Sequence, residues 1–522
     1  MHWQDSPVLL ALATLVLVLV GPCALQRFLR RSSCSCPTLP PGPPRGFLRD
    51  NSGDVPRFQH WKTFRAWNRK YGAVISLYLG RTPVIVLGTV EAAHDLLEKR
   101  GDIYSGRPRN IVGDEILSGG MRGMGMSYGP RYRRWKSLIQ AGLNHTATLS
   151  YRPLQSVESS ILMRDLLTSQ NPLAYKDHVR RFAMSIIFCL AYGRRIKTLS
   201  DEVVLQNMKT DGYFGKVHPG KFLVDSWPVL LHLPRFMQWF RWEPERHRAL
   251  DTALYMSVMN DVKRQMEDGT AQPSMAAYSL SKQHEFGLSD VETAYALSAP
   301  WAAGVGSTTA SIEVFLLAML LFPAVQKKAQ EEIDSIVGHS RLPGFEDHDS
   351  LPYVRALIKE VTRWRCIAPT GFPHATMADD VYQGMFIPQG ATVYGNIYAM
   401  TTDPAVFPDP DEFRPERFLE TSDPRLLSFS TPFGFGRRIC PGQNVALQSI
   451  FISVVRMLWA FKILPGTDKN GNAIVPSAND FTSGLLTRPT PFPCRFEPRH
   501  ESAAEVVQNE AERADIESEA WK

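Results

Sequence analysis

Apolar positions in this chain follow three different patterns. Residues Pro7 to Leu25 form a 19-residue apolar run without a charge. At 1.5 Å per residue it reaches about 28 Å, close to the thickness of a bilayer core. Val74 to Leu79 and Pro83 to Leu87 read as short strands around Gly80-Arg81-Thr82. Val90 to Lys99 reads as a helix, and helical spacing dominates from there to about residue 360. Strand-like runs return at Gly384-Met385-Phe386-Ile387-Pro388 and at Thr392-Val393-Tyr394.

One helix is marked at both ends. Ser289-Asp290-Val291-Glu292 is a capping box, and Pro323 stops the pattern after Phe322. The span is about 33 residues, or roughly 50 Å. Pro300 removes one hydrogen bond inside it, and Gly304 and Gly306 follow closely, so a distorted helix is predicted between 296 and 310. The tail from Glu501 to Lys522 has seven acidic and two basic residues and no large apolar stripe, and reads as solvated and disordered.

Length and charge narrow the picture. With 522 residues and 44% hydrophobic content the chain can bury a large core, and size alone suits two to four domains. The candidate chemistry is scattered over most of the chain, which argues for one catalytic domain. A net charge of +6 is modest and does not suggest nucleic acid. Asp5 precedes the apolar run, and Arg27, Arg30 and Arg31 follow it, which places the N-terminus in the lumen and the rest in the cytosol. A cleaved signal peptide would carry a charged n-region, which is missing, although Gly21-Pro22-Cys23-Ala24 weakly resembles a cleavage site. The expected organisation is a membrane anchor at 1–31 (transmembrane at about 7–25), a proline-rich linker at 32–45, a catalytic domain at 46–498 and the acidic tail at 499–522. The linker, Leu39-Pro40-Pro41-Gly42-Pro43-Pro44-Arg45, is stiff and would hold the domain at a set angle to the membrane. Seven scattered cysteines show no disulfide framework, in keeping with a reducing compartment. Cys34 and Cys36, next to the basic cluster, are either palmitoylation sites or plain surface cysteines.

The most informative segment is Phe433-Gly434-Phe435-Gly436-Arg437-Arg438-Ile439-Cys440-Pro441-Gly442. A thiolate at Cys440 would bind heme iron and push electron density toward it, favouring O–O cleavage. The flanking glycines would let the backbone approach a flat ligand and take positive φ. Arg438 would face a heme propionate. A buried structural cysteine on a Gly-rich turn is the plainer alternative. The segment matches FxxGxRxCxG and resembles the heme-ligand loop of the cytochrome P-450 family.

The resemblance extends from about residue 38 to 497. It implies a mainly α fold with small β-sheets, the cytochrome P-450 fold, as a single large domain behind the transmembrane helix. Cys440 is then the metal ligand, with Phe433, Gly436, Arg438 and Gly442 around the heme. Glu360-Val361-Thr362-Arg363 is an ExxR pair on one helical face. Phe413-Arg414-Pro415-Glu416-Arg417-Phe418 resembles the segment whose second arginine closes a buried triad, so Glu360, Arg363 and Arg417 would brace the core. Tyr132 and Lys136, one turn apart, stand where the family has two propionate donors, and His374 follows the ExxR helix at another such place. Arg133 and Arg134 would belong to a basic face receiving an acidic redox partner.

Over the heme the family has (A/G)-G-x-(D/E)-T-(T/S), whereas this chain has Ala303-Gly304-Val305-Gly306-Ser307-Thr308. Gly306 takes the place of the acid, and Ser307 and Thr308 are the catalytic hydroxyls. A register shifted by one places Ser307 at the acid, and neither register contains a carboxylate. Substrate contacts are expected from Ile367 and Thr370 in the loop after ExxR, and from Phe481 and Leu485 in a late turn. Both segments are mostly apolar, which suits a hydrophobic substrate.

The implied activity is a heme-thiolate monooxygenase. It would hydroxylate or otherwise oxidise a hydrophobic small molecule with O2 and with electrons from NADPH through a diflavin cytochrome reductase, with cytochrome b5 as an optional second donor. Ile103-Tyr104-Ser105-Gly106-Arg107-Pro108, Asp379-Asp380-Val381-Tyr382-Gln383-Gly384 and Pro491-Phe492-Pro493-Cys494-Arg495-Phe496 resemble membrane-anchored fungal members that tailor secondary metabolites. Two rivals remain: a heme-thiolate isomerase or dehydratase, which needs no oxygen-activating acid, and a non-catalytic heme-binding protein.

Overall fold

The computed structural model describes residues 37–45, 50–217 and 221–521. The expected anchor at 7–25, Cys34 and Cys36 lie outside them. Among the described residues helices predominate, with three small sheets. Strands β1 (Val74–Leu79) and β2 (Thr82–Leu87) form an antiparallel hairpin. The largest sheet has the order β1-β2-β6-β3, where β3 is His374–Ala375 and β6 is Thr392–Gly395. Strands β4 (Asp380–Tyr382) and β5 (Met385–Ile387) pair with each other, as do β7 (Phe461–Pro465) and β8 (Cys494–Pro498). The predicted helix at 90–99 is an α-turn, Val90–Ala93, followed by a π-turn, His94–Lys99.

The core is built around two helices with little polar surface. The distal helix, Ala299–Leu321, has an unbroken buried apolar run from Val314 to Leu320. The helix Gln443–Ala460 is buried along nearly all of its second half. Together with Pro323–Val337 and the ExxR helix, Pro352–Trp364, they enclose one continuous apolar cluster.

The capping box forms as the sequence implies. The Ser289 hydroxyl accepts the Glu292 N–H, and the Glu292 carboxylate accepts the Ser289 N–H at 3.1 Å. The helix it opens ends at Leu297. Ser298 interrupts it, and the distal helix restarts at Ala299 with Pro300 in its first turn. The interruption is narrower than expected. Proline lacks a single N–H, and the ladder resumes when the Ala302 N–H donates to the Ser298 carbonyl at 3.1 Å. Gly304 and Gly306 lie in continuous helix.

One expectation about the ends of the domain is corrected. The tail is not disordered: Glu501–Glu517 is a helix packed on the helix Arg152–Thr168. Its buried positions are Ala503, Val507, Ala511 and Ala514, a stripe of small side chains at helical spacing. Arg164 pairs with Asp515, and the Arg195 N–H donates to the Trp521 carbonyl at 3.0 Å. The proline-rich linker docks on the sheet along its described part. Pro40 is buried, and its carbonyl and that of Pro41 accept the Ser76 hydroxyl and amide at 2.6 and 3.0 Å. This satisfies backbone groups on the outer edge of β1.

Candidate active site

Cys440 sits on a closed loop. Its N–H donates to the Phe433 carbonyl at 2.9 Å, and the helix Gln443–Ala460 starts immediately beyond it. Gly434 and Gly436 have φ of 84° and 57°, a region that favours glycine. A Cβ on Gly436 would also lie 2.4 Å from the Leu97 carbonyl oxygen, so the loop seats tightly on the 94–99 turn. Gly442 differs from expectation. Its φ is −89°, and the small residue matters for another reason: a Cβ there would stand 4.0 Å from the Cys440 Sγ. The Cys440 side chain is solvent-accessible, yet protein atoms crowd it enough for burial to raise the thiol pKa. The sulfur is thus open on one side and walled on the others. A backbone hydrogen bond from Gly442 opposes the burial effect. The positive end of the following helix also favours a thiolate.

Beside the loop, Arg438 and Lys136 converge with no salt bridge to an acid among the described residues. The Arg438 guanidinium donates to the Ser105 carbonyl at 2.7 Å and the Met126 carbonyl at 2.6 Å, and lies 3.7 Å over the Tyr132 ring. Lys136 Nζ donates to the Arg437 carbonyl at 2.9 Å, while the Tyr132 hydroxyl reaches the same carbonyl only at 3.4 Å. Burial lowers the pKa of both Arg438 and Lys136. His374, on β3, donates from Nδ1 to the Tyr104 carbonyl at 2.8 Å, because a carbonyl can only accept. Burial, then the nearby Arg107, pushes its pKa down to about 3, so Nε2 carries no proton unless an anion approaches.

Arg107 is the residue that sequence reasoning missed. It donates to the Met124, Phe372 and Pro373 carbonyls at 2.9, 3.2 and 2.7 Å and fixes the segment that carries His374. Burial and the Arg438 charge lower its pKa to about 9. Its carbonyl partners come from two distant loops, so no local pattern could reveal it.

Glu360, Arg363 and Arg417 do come together. Arg363 grips Glu360 with two bonds of 2.6 and 2.7 Å, and Arg417 Nε adds a third at 3.1 Å. All three are buried, and the spare guanidinium hydrogens go to the Thr401, Pro408, Pro410 and Glu412 carbonyls.

On the distal helix, the Ser307 hydroxyl donates to the Ala303 carbonyl at 2.8 Å. Thr308 is buried, and its hydroxyl makes no hydrogen bond among the described residues. The two glycines differ. A Cβ on Gly304 would press into Ile187 Cδ1 at 2.7 Å, so Gly304 permits helix packing. A Cβ on Gly306 would meet only Leu486 Cδ1, at an ordinary 3.7 Å. The late turn and the loop after ExxR are joined by the Thr487 N–H, which donates to the Ile367 carbonyl at 2.7 Å. Thr370 is buried. Phe481 is instead part of the main apolar cluster, with Ile367 packed against it. In the late turn the side chain nearest to Gly306 is Leu486, and both it and the expected substrate contact Leu485 are partly exposed.

The family model for cytochrome P450 matches residues 40–493. This chain belongs to the cytochrome P450 family. The P450 is 41% identical over 483 residues to cytochrome P450 monooxygenase 58 of Postia placenta, with 90% of each chain covered. It is 34% identical over 515 residues to cytochrome P450 monooxygenase claR of Ampulloclitocybe clavipes, covering 95% of this chain and 92% of that one. Among solved structures, a zebra fish cytochrome P450 with abiraterone aligns with a TM-score of 0.69 at 22% identity, over 84% of this chain and 100% of that one, a likeness of fold.

The family implies heme, and the residues of this P450 fit it. An open thiol at a helix N-terminus suits the iron, and Arg438, Lys136 and His374 suit two carboxylates. Arg107 has the Asp114 carboxylate nearby, but no salt bridge pairs Arg107, Lys136 or Arg438 with an acid among the described residues.

Proposed function

We propose that this P450 hydroxylates a hydrophobic small molecule, an intermediate of fungal secondary metabolism. The single observation that carries the reading is the Cys440 thiol, open on one side beside the half-buried cations Arg438 and Lys136, neither of which has a salt bridge to an acid among the described residues. Heme, when bound, supplies the iron at which dioxygen is reduced. The chain's own residues do the rest. Cys440 ligates, and Arg438, Lys136 and His374 anchor the carboxylates. Ser307, which rests on the Ala303 carbonyl, and Thr308, whose hydroxyl has no partner among the described residues, pass protons on the distal side. Leu486, Ile367 and Thr370 border an apolar substrate and exclude water. Arg133 and Arg134 are exposed and meet the NADPH-cytochrome reductase, or cytochrome b5 as second donor.

The same reading places the protein in the endoplasmic reticulum membrane with its catalytic domain in the cytosol. An exposed apolar group supports it: Leu223, Trp227, Val229, Phe236, Trp239 and Trp242 are each more than half exposed. Side chains of this kind sit well at a lipid surface.

The test is spectroscopic. The reduced carbon monoxide complex should absorb at the thiolate position, and Cys440→Ser should abolish that band. A normal band in the variant overturns the assignment. Accumulation of one metabolite after deletion of the gene would name the substrate. Turnover without NADPH would favour an isomerase or dehydratase, the reading that the missing carboxylate at Gly306 supports. Ligand binding without any turnover, with a competent reductase present, would favour a non-catalytic heme protein.

A further inference from the structure

Glu313 is an anomaly on the distal helix. Its neighbours on that helix are apolar and buried, and Glu313 itself is 3% exposed. A carboxylate in such a place is costly unless it is paired. Its partner comes from the late turn. Arg488 Nε and Nη2 bond the two carboxylate oxygens at 2.9 and 2.5 Å, a bidentate fork. Arg488 keeps 43% of its side chain exposed and reaches inward from the rim.

The pair is placed to control the turn. Glu313 stands two helical turns beyond Gly306 on the same helix face, and Leu486, two residues before Arg488, is the side chain nearest to Gly306. The Thr482 N–H donates to the Arg488 carbonyl at 2.9 Å, the Arg488 N–H donates to the Thr482 hydroxyl at 3.1 Å, and Thr487 is tied to Ile367. Fixing Arg488 therefore fixes the whole turn, and with it the distance that Leu486 projects over the helix.

We propose that Glu313 and Arg488 are positioning residues for substrate selection: their ion pair sets how far Leu486 closes the space above Gly306, and so the bulk of the molecule accepted there. The proposal rests on the monooxygenase reading for its substrate but not for its geometry.

The experiment compares the heme-loaded full chain with Glu313→Gln, Arg488→Gln and the double variant. Hydrogen exchange at the Thr482, Thr487 and Arg488 amides should accelerate at least tenfold in all three. The reduced carbon monoxide band should stay as in the wild type. In a series of N-alkyl imidazoles of increasing bulk, the variants should shift the preferred size upward and bind the bulkiest member about tenfold tighter. Arg488→Gln leaves a buried carboxylate unpaired and should melt lowest. The double variant should recover the melting temperature but not the protection of the turn, which separates positioning from folding. Wild-type exchange and wild-type size preference in the three variants would overturn the proposal, as would loss of protection spread evenly over the molecule. A wild type without the thiolate band would instead sink the monooxygenase reading, while the exchange result would still judge the latch.

Discussion

The Arg438 guanidinium lies 3.7 Å from the centre of the Tyr132 ring, while the Tyr132 hydroxyl is 3.4 Å from its nearest acceptor. The ring face therefore matters more than the phenol. A desolvated cation–π contact contributes on the order of 2 kcal/mol, and a long hydrogen bond much less. Tyr132→Phe should release heme within twofold of the wild-type rate. Tyr132→Leu should release it roughly tenfold faster, as followed by transfer to a heme acceptor. Fast release from Tyr132→Phe would restore the phenol as the important group.

Glu360 holds two arginines in a site closed to water. Glu360→Gln would leave both guanidiniums charged against a neutral amide, with a cost of about 3–5 kcal/mol. Thermal unfolding should show a drop of many degrees. A shift of a degree or less would mean that the carbonyls around Arg363 and Arg417 suffice.

Asp114 gives a pH signature. Its carboxyl packs where a Cβ on Gly125 would collide with it, and burial pushes its pKa up to about 6 against Arg122 and Arg107. The folded state holds this proton more tightly than the unfolded chain. The group therefore opposes folding fully above about pH 6, and the penalty fades as pH falls from about 6 and is gone below the usual carboxylate range. Asp114→Asn should stabilise the protein by about 2–3 kcal/mol at pH 7.5 and by almost nothing near pH 4. Denaturant melts at the two pH values check this, and equal gains at both would contradict it.

The distal side can be tested by adding what it lacks. A Cβ at Gly306 has ordinary contact distance to Leu486, so Gly306→Asp should fold and raise the product formed per NADPH consumed. Ser307→Ala, which removes the hydroxyl now held by Ala303, should lower that ratio severalfold. Unchanged coupling in Gly306→Asp would place the proton path elsewhere.

What could be read from the sequence depended on how far apart the cooperating residues lie. The Cys440 loop and the Ser289 capping box are contiguous, and their chemistry is set by neighbours in the chain. The Glu360 triad needed one long step, but the types and spacing of its halves suggested it. Arg107 and the pair Glu313–Arg488 were illegible because folding alone brings their partners together. The terminal helix escaped for a different reason: alanines at 503, 511 and 514 bury well but barely register as hydrophobic. Pro300 was read correctly as a breaker, yet its effect stops at Ser298 because only one bond is lost.

That terminal helix has a consequence for synthesis. The face of Arg152–Thr168 that it covers is made several hundred residues earlier. At 5–20 residues per second the early face waits on the order of half a minute for its cover. Until the cover arrives, an unfinished apolar surface is open to chaperones.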